Sequence, residues 1–148
     1  MEMNILSPLA TKTFCLLIEK MQGKEYLKIV NEPFMTLHIE RIESDLPITG
    51  YGKSNIYSLG HYYTLNGDMM RDPEMTFIVI EKKGLNTCKE TIILPRSFEQ
   101  SDMGIYEESI ILHLPIGLEC NRSLQAHHTE FAEVWLNNIK DQGFLERL

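Results

Sequence analysis

The chain has 148 residues, a length that suits one domain and allows a sizeable core to form without disulfide or metal staples. Hydrophobic residues make up 43% and charged residues 24%, an ordinary globular composition that excludes a disordered or low-complexity chain. The formal net charge of −7 argues against bulk nucleic-acid binding, because phosphate backbones are held by clustered lysine and arginine and the longest basic run here is Lys82-Lys83.

Taken in chain order, Ser7-Pro8 has the form of a helix start, with an N-capping serine followed by proline at the first helical position. Phe14, Leu17, Ile18 and Met21 follow at helical spacing, and Gly23 supplies the stop. Cys15 lies in this apolar run and reads as a small buried hydrophobe. Cys15, Cys88 and Cys120 include no CxxC pair and so suggest neither a zinc knuckle nor a disulfide framework. Leu27 to Val30 reads as a short strand. Met35, Leu37 and Ile39 alternate with Thr36, His38 and Glu40, the pattern of a half-buried strand, and Pro47, Gly50 and Gly52 mark a loop.

Ile56 to Tyr63 is the next predicted strand, with Tyr57, Leu59, His61 and Tyr63 on one face. Asn66-Gly67-Asp68 signals a turn, and Met75 to Glu81 resumes strand composition until Lys82-Lys83-Gly84. Glu90 to Leu94 and Ile105 to Leu114 are further predicted strands on either side of a polar loop around Ser101-Asp102. After Pro115 and Gly117 a second helix begins, with Ser123 as its expected cap. Leu124, His128, Phe131, Val134, Trp135 and Ile139 form its stripe, and Gly143 lies near its end. This order predicts an α+β fold over residues 1–148 as a single domain, an antiparallel sheet of about five strands flanked by an N-terminal and a C-terminal helix. No basic-then-apolar leader and no bilayer-length apolar run occurs, so no membrane association is expected and the expected address is cytoplasmic.

One stretch, His61 to Phe77, concentrates chemistry. It carries His61, Asp68, Arg71, Asp72 and Glu74 together with Tyr62 and Tyr63. Carboxylates beside an imidazole can hold a divalent metal or work as an acid–base pair. A two-residue hairpin centred on Asn66-Gly67 would set His61 opposite Asp72, but Pro73 cannot donate to a ladder. The expectation is therefore a longer loop from about Leu65 to Glu74, with His61 facing the strand near Phe77 and the acids crowded at the loop. The structural reading, which is preferred, has Asp68 bonding backbone amides in the turn, Asp72 capping before the proline, Arg71 pairing with Glu74, and His61 half-buried on an apolar face. Glu81-Lys82-Lys83 after Asp72 imitates a metal-nuclease pattern. On extended chain, however, Asp72 and Glu81 would sit on the order of 25–30 Å apart, too far to share an ion. No glycine-rich phosphate loop, GxSxG elbow or HExxH is present. His127 and His128 are adjacent on a helix, so one faces the core and the other solvent.

The residues His61-Tyr62-Tyr63, Asn66-Gly67-Asp68, Met70 to Met75 and Phe77 resemble the signature of an uncharacterised bacterial domain family, HYY-two residues-NGD-x-MRDPEM-x-F. Gly104-Ile105-Tyr106-Glu107, Phe131, Trp135, Asn138 and Gln142-Gly143-Phe144 are similar to its downstream pattern, so the resemblance covers the chain from about Phe34 onward. Thr64-Leu65 stands where the family pattern has a more polar pair. The family occurs in conjugative transposons, plasmids and phages, which implies a helper role in a mobile element and carries no activity with it. The expected function is a small accessory or interaction protein, acting through a protein partner or as a homodimer, with no cofactor assigned. The rivals are a metal-dependent hydrolase or nuclease built on the His61–Glu74 hairpin, and an acidic decoy of a DNA-binding protein.

Overall fold

The structure is a computed structural model that describes residues 3–48, 51–81, 91–113 and 117–147. The fold is α+β. Helix α1 (Pro8–Lys20) precedes strands β1 (Tyr26–Ile29), β2 (Leu37–Ile48), β3 (Gly52–Leu65), β4 (Asp68–Glu81), β5 (Thr91–Gln100) and β6 (Ile105–Glu108). A hairpin of β7 (Ile110–His113) and β8 (Gly117–Cys120) leads into α2 (Arg122–Asp141). Strands β1 to β6 form one antiparallel sheet in sequence order, six strands rather than about five, and β7 pairs with β8 in a second ladder.

Both helices lie on one face of the large sheet. Phe14, Leu17, Trp135, Leu136 and Ile139 pack with Leu37, Ile39, Tyr57, Leu59, Met75, Phe77 and Ile93 in the main core. The Phe14 ring meets Phe77 at 4.8 Å and Tyr57 at 6.1 Å between centroids. Burying each such aromatic side chain contributes about 1.5–3 kcal/mol. The opposite face is covered at one end by the β7–β8 hairpin, where Leu112, Leu118 and Cys120 pack on Ile56, Ile78, Ile80 and Leu94. The other end of that face is polar.

Several elements differ from the sequence reading, each for a local reason. Strand β2 runs through Pro47, where a loop is expected. Strand β1 reaches only as far as Glu40, so this part of β2 is an edge, and an edge tolerates proline and the irregularities at Arg41/Glu43 and Glu43/Leu46. The predicted strand Ile105 to Leu114 breaks at Ser109, whose amide and hydroxyl both point to the Arg96 carbonyl as the chain leaves the large sheet for the second ladder. Strand β8 was not anticipated. Asn121, not Ser123, caps α2, its Oδ1 accepting from the Leu124 amide at 3.2 Å. Phe131 and Val134 are exposed, because α2 turns Gln125, His128, Ala132, Trp135, Leu136 and Ile139 inward. Of the paired histidines, His128 is buried and His127 exposed. Gly50, Lys82, Lys83, Gly84, Cys88, Glu90, Leu114 and Pro115 lie outside the described residues.

The N-terminus of α1 is tied to α2. Ser7 Oγ accepts from the Ala10 amide at 3.1 Å, while the Ser7 amide and hydroxyl donate to the two Glu133 oxygens at 2.6 and 2.7 Å. A carboxylate at this end of a helix also meets the positive pole of its dipole. Glu133→Ala is expected to lower unfolding stability by about 1–3 kcal/mol, measured by urea denaturation at neutral pH.

Candidate functional site

The motif stretch is not a long loop. Asn66 and Gly67, with φ of 51° and 85°, form a two-residue turn, and Leu65↔Asp68, Thr64↔Met69, Tyr63↔Met70 and Tyr62↔Arg71 face each other across it. Positive φ at both central residues matches the right-handed twist of the flanking strands. The ladder then shifts, so that His61 alone stands against Asp72 and Pro73 before Gly60↔Glu74 restores the pairing. Pro73 is buried in this bulge, and the Asp72-Pro73 peptide is cis. The proline objection to a tight hairpin fails because the bulge removes the demand for a ladder donor at that position. The residue opposite Phe77 is Tyr57, not His61.

The bulge and the two-residue period of the strands divide the five candidate residues. His61 faces the helices, 7% exposed, with its ring 5.7 Å from both Trp135 and Phe144. Its Nδ1 lies 3.0 Å from the Met35 carbonyl and 3.3 Å from that of Thr36. Carbonyls only accept, so Nδ1 carries the proton and Nε2 the lone pair. Burial pulls the His61 pKa below its ordinary value, against opposing contributions from those carbonyls and from the Asp72 charge. Asp72 accepts from the Gln100 amide of β5 rather than capping a turn. Asp68 closes the hairpin turn and is exposed; among the described residues no hydrogen bond engages its carboxylate.

Glu74 lies on the opposite face, and there the expected pair with Arg71 is present. Glu74 Oε2 accepts from the Ser58 hydroxyl at 2.7 Å and from the Tyr62 hydroxyl at 2.6 Å, and Arg71 Nε donates to Oε1 at 3.1 Å. Arg71 also sits 3.8 Å from Glu99 and lies over the Tyr62 ring. The other side of the network was not legible in sequence. His38 stacks on Tyr62 with centroids 4.6 Å apart and hydrogen-bonds the Tyr26 hydroxyl. Burial, then the Glu74 contact, push the Tyr62 phenol far above its ordinary pKa, so it remains a donor. Tyr62 so held is a poor acid, and Glu74 is engaged by three donors rather than left open to a substrate.

A second constellation also escaped the sequence reading. His128 Nδ1 lies 2.8 Å from Ser109 Oγ, and its Nε2 lies 3.1 Å from Glu107 Oε1. The order serine, histidine, carboxylate resembles a nucleophilic triad. Ser109 is 1% exposed, however, and no substrate carbonyl can approach its oxygen. Among the described residues, no group of three or more His, Cys, Asp or Glu side chains is arranged to hold a metal ion, and no helix is long and apolar enough to cross a membrane.

The chain belongs to a family whose description is "Domain of unknown function (DUF6908)"; the family model matches residues 11–145. Neither the search of curated proteins nor that of solved structures gave a match.

Gly60 is the hinge of the polar network, since a Cβ there would lie 2.6 Å from Tyr62 Cε1 and 3.1 Å from the Pro73 carbonyl oxygen. Glycine at 60 lets the Tyr62 ring fold over the strand and reach Glu74. Gly60→Ala is expected to cost about 1–3 kcal/mol by displacing that ring, read as a lower urea midpoint with an unchanged slope.

Proposed function

We propose that the chain is a small accessory interaction module of a mobile genetic element that acts by contact and not by catalysis. The observation that carries this reading is the reach of the motif hairpin. Among the described residues, ladder pairing with β2 ends at His61 and with β5 begins at Glu74, so Tyr62–Leu65 and Asp68–Arg71 form ladder pairs only with each other. The Arg71 amide and the Asp72 carboxylate are held at the base by Ser101 and Gln100. This finger ends in Leu65 and Met69, 50% and 58% exposed. Its base is stiffened on both faces, by His61 against the helices and by Glu74 with its three donors. A rigid finger with apolar side chains at its tip suits docking onto another protein, because ordering costs are met before binding.

The hydrolase reading lacks comparable support, since His61 and Glu74 stand on opposite faces of the sheet. The decoy reading wants continuous negative charge, whereas Arg71 and Arg96 are interleaved with Glu74, Glu99 and Glu108. The mobile-element assignment rests on the signature residues alone.

The test is a photo-crosslinking residue in place of Met69, introduced in cells that carry the element, with Leu65→Glu as the control. One discrete protein adduct, to a partner or to a second copy, lost in the Leu65→Glu background, is the expected outcome. The Leu65→Glu protein is expected to keep its melting behaviour within about 0.5 kcal/mol, because the site is exposed. No adduct, together with a strictly monomeric protein in sedimentation, would contradict the proposal.

A further inference from the structure

The Ser109–His128–Glu107 group is used by neither reading above, and its hydrogen bonds do not balance for a neutral ring. Three contacts meet there: His128 Nδ1 with Ser109 Oγ at 2.8 Å, His128 Nε2 with Glu107 Oε1 at 3.1 Å, and Ser109 Oγ with the Arg96 carbonyl at 3.1 Å. Each needs a proton between its two heavy atoms, and the carbonyl and the carboxylate supply none. A neutral imidazole brings one and the Ser109 hydroxyl brings one, so two protons serve three contacts. The Glu107 carboxylate cannot face a lone pair, which places the ring proton of the neutral form on Nε2. The Ser109 hydroxyl then donates to the bare Nδ1, and the Arg96 carbonyl keeps the Ser109 amide at 2.8 Å.

Adding one proton completes the set. Nδ1–H donates to Ser109 Oγ, the hydroxyl turns to the Arg96 carbonyl, and Nε2–H faces Glu107 as one half of an ion pair. We propose that His128, Ser109 and Glu107 form a proton-operated latch between α2 and the β6–β7 corner, in which acid turns the Ser109 hydroxyl from His128 to Arg96 and converts the Glu107 contact into an ion pair. The corner is a natural place for such a device. Among the described residues, strand β6 is a four-residue edge paired only with β5, and Glu107 links it to α2.

The surroundings decide when the latch closes. His128 is 4% exposed, with the Phe98 ring of β5 stacked on it at 6.0 Å. Among the described residues, the charged or titratable groups that act on it are Glu107 of β6 and its own neighbour His127. Burial is the largest influence and lowers the pKa; the Glu107 hydrogen bond and charge oppose it, and His127 adds to it. The folded ring therefore takes up its proton below the ordinary value of 6.5. The unfolded chain binds that proton first, so this group's contribution to stability is full above about 6.5 and is lost as pH falls through the folded value. Acid thus strengthens the α2–β6 contact while lowering global stability.

The experiment is a histidine side-chain ¹⁵N NMR titration of the full chain from about pH 8 to about pH 4.5, on wild type, Glu107→Gln and Ser109→Ala. The proposal expects a neutral His128 in the Nε2–H tautomer and a midpoint below 6.5. Glu107→Gln should reduce proton affinity about tenfold, and Ser109→Ala by less. An Nδ1–H neutral tautomer, or the same midpoint with and without the Glu107 charge, would overturn it. The wild-type spectrum decides the tautomer alone should either variant fail to fold.

Discussion

A carboxylate withdrawn from water must be met by donors, and in this protein that requirement falls on Glu74, whose side chain is only 20% exposed in the middle of the sheet. Three side chains answer it, each from a different position. Ser58 comes from β3 beside the pairing partner Gly60, Tyr62 from beyond the bulge, and Arg71 from the same strand near the turn. Tyr62 reaches Glu74 only because residue 60 has no Cβ, and Arg71 is opposite Tyr62 only because Asn66-Gly67 is a two-residue turn. The arrangement is therefore one device running from Ser58 to Glu74 rather than a set of separate polar contacts. Leaving any of these charges unmatched would cost more than the contact itself contributes.

The same hairpin has a second side, set apart from the first by the two-residue period of its strands. On β3 His61 follows Tyr57 and Leu59 inward to Trp135 and Phe144, while Glu74, opposite Gly60, stays on the open face; the bulge brings Arg71, three residues from Glu74, onto that same face. Residues that look like one metal-binding or acid–base cluster on paper are in this way used as two separate braces, one gripping the helices and one locking the sheet. A finger braced on both faces can project past its neighbours without fraying, and the proposed contact function rests on that. Catalysis would need the reverse, with titratable groups converging on a space open to substrate.

Local signals were readable in the sequence, and long-range ones were not. Ser7-Pro8 and Asn66-Gly67 act within a few residues, so their capping and turn roles follow from side-chain chemistry alone. Pro73 misled because a rule about ladder donors assumes regular pairing, and the bulge suspends that assumption. The length of β2 was hidden by Glu43-Ser44-Asp45 and Pro47, which resemble a loop unless the edge position is known. In the site, the Arg71–Glu74 pair could be expected from spacing and the His61 environment from its apolar neighbours. The placement of His61 and Glu74 on opposite faces depended on register, and the partners Ser58, His38 and Tyr26 come from strands whose alignment no local pattern states. Ser109, Glu107 and His128 meet only after the chain turns a corner between two sheets.

Whether the motif is a brace built around Glu74 is decided by a double-mutant cycle between Tyr62→Phe and Glu74→Gln, followed by urea unfolding at neutral pH. A brace requires that each single change destabilises and that the two are coupled by about 1–3 kcal/mol, the double variant losing far less than the sum. Additive losses within about 0.5 kcal/mol, or a Glu74→Gln protein at least as stable as wild type, would contradict it, because Glu74 would then be held for chemistry rather than for structure.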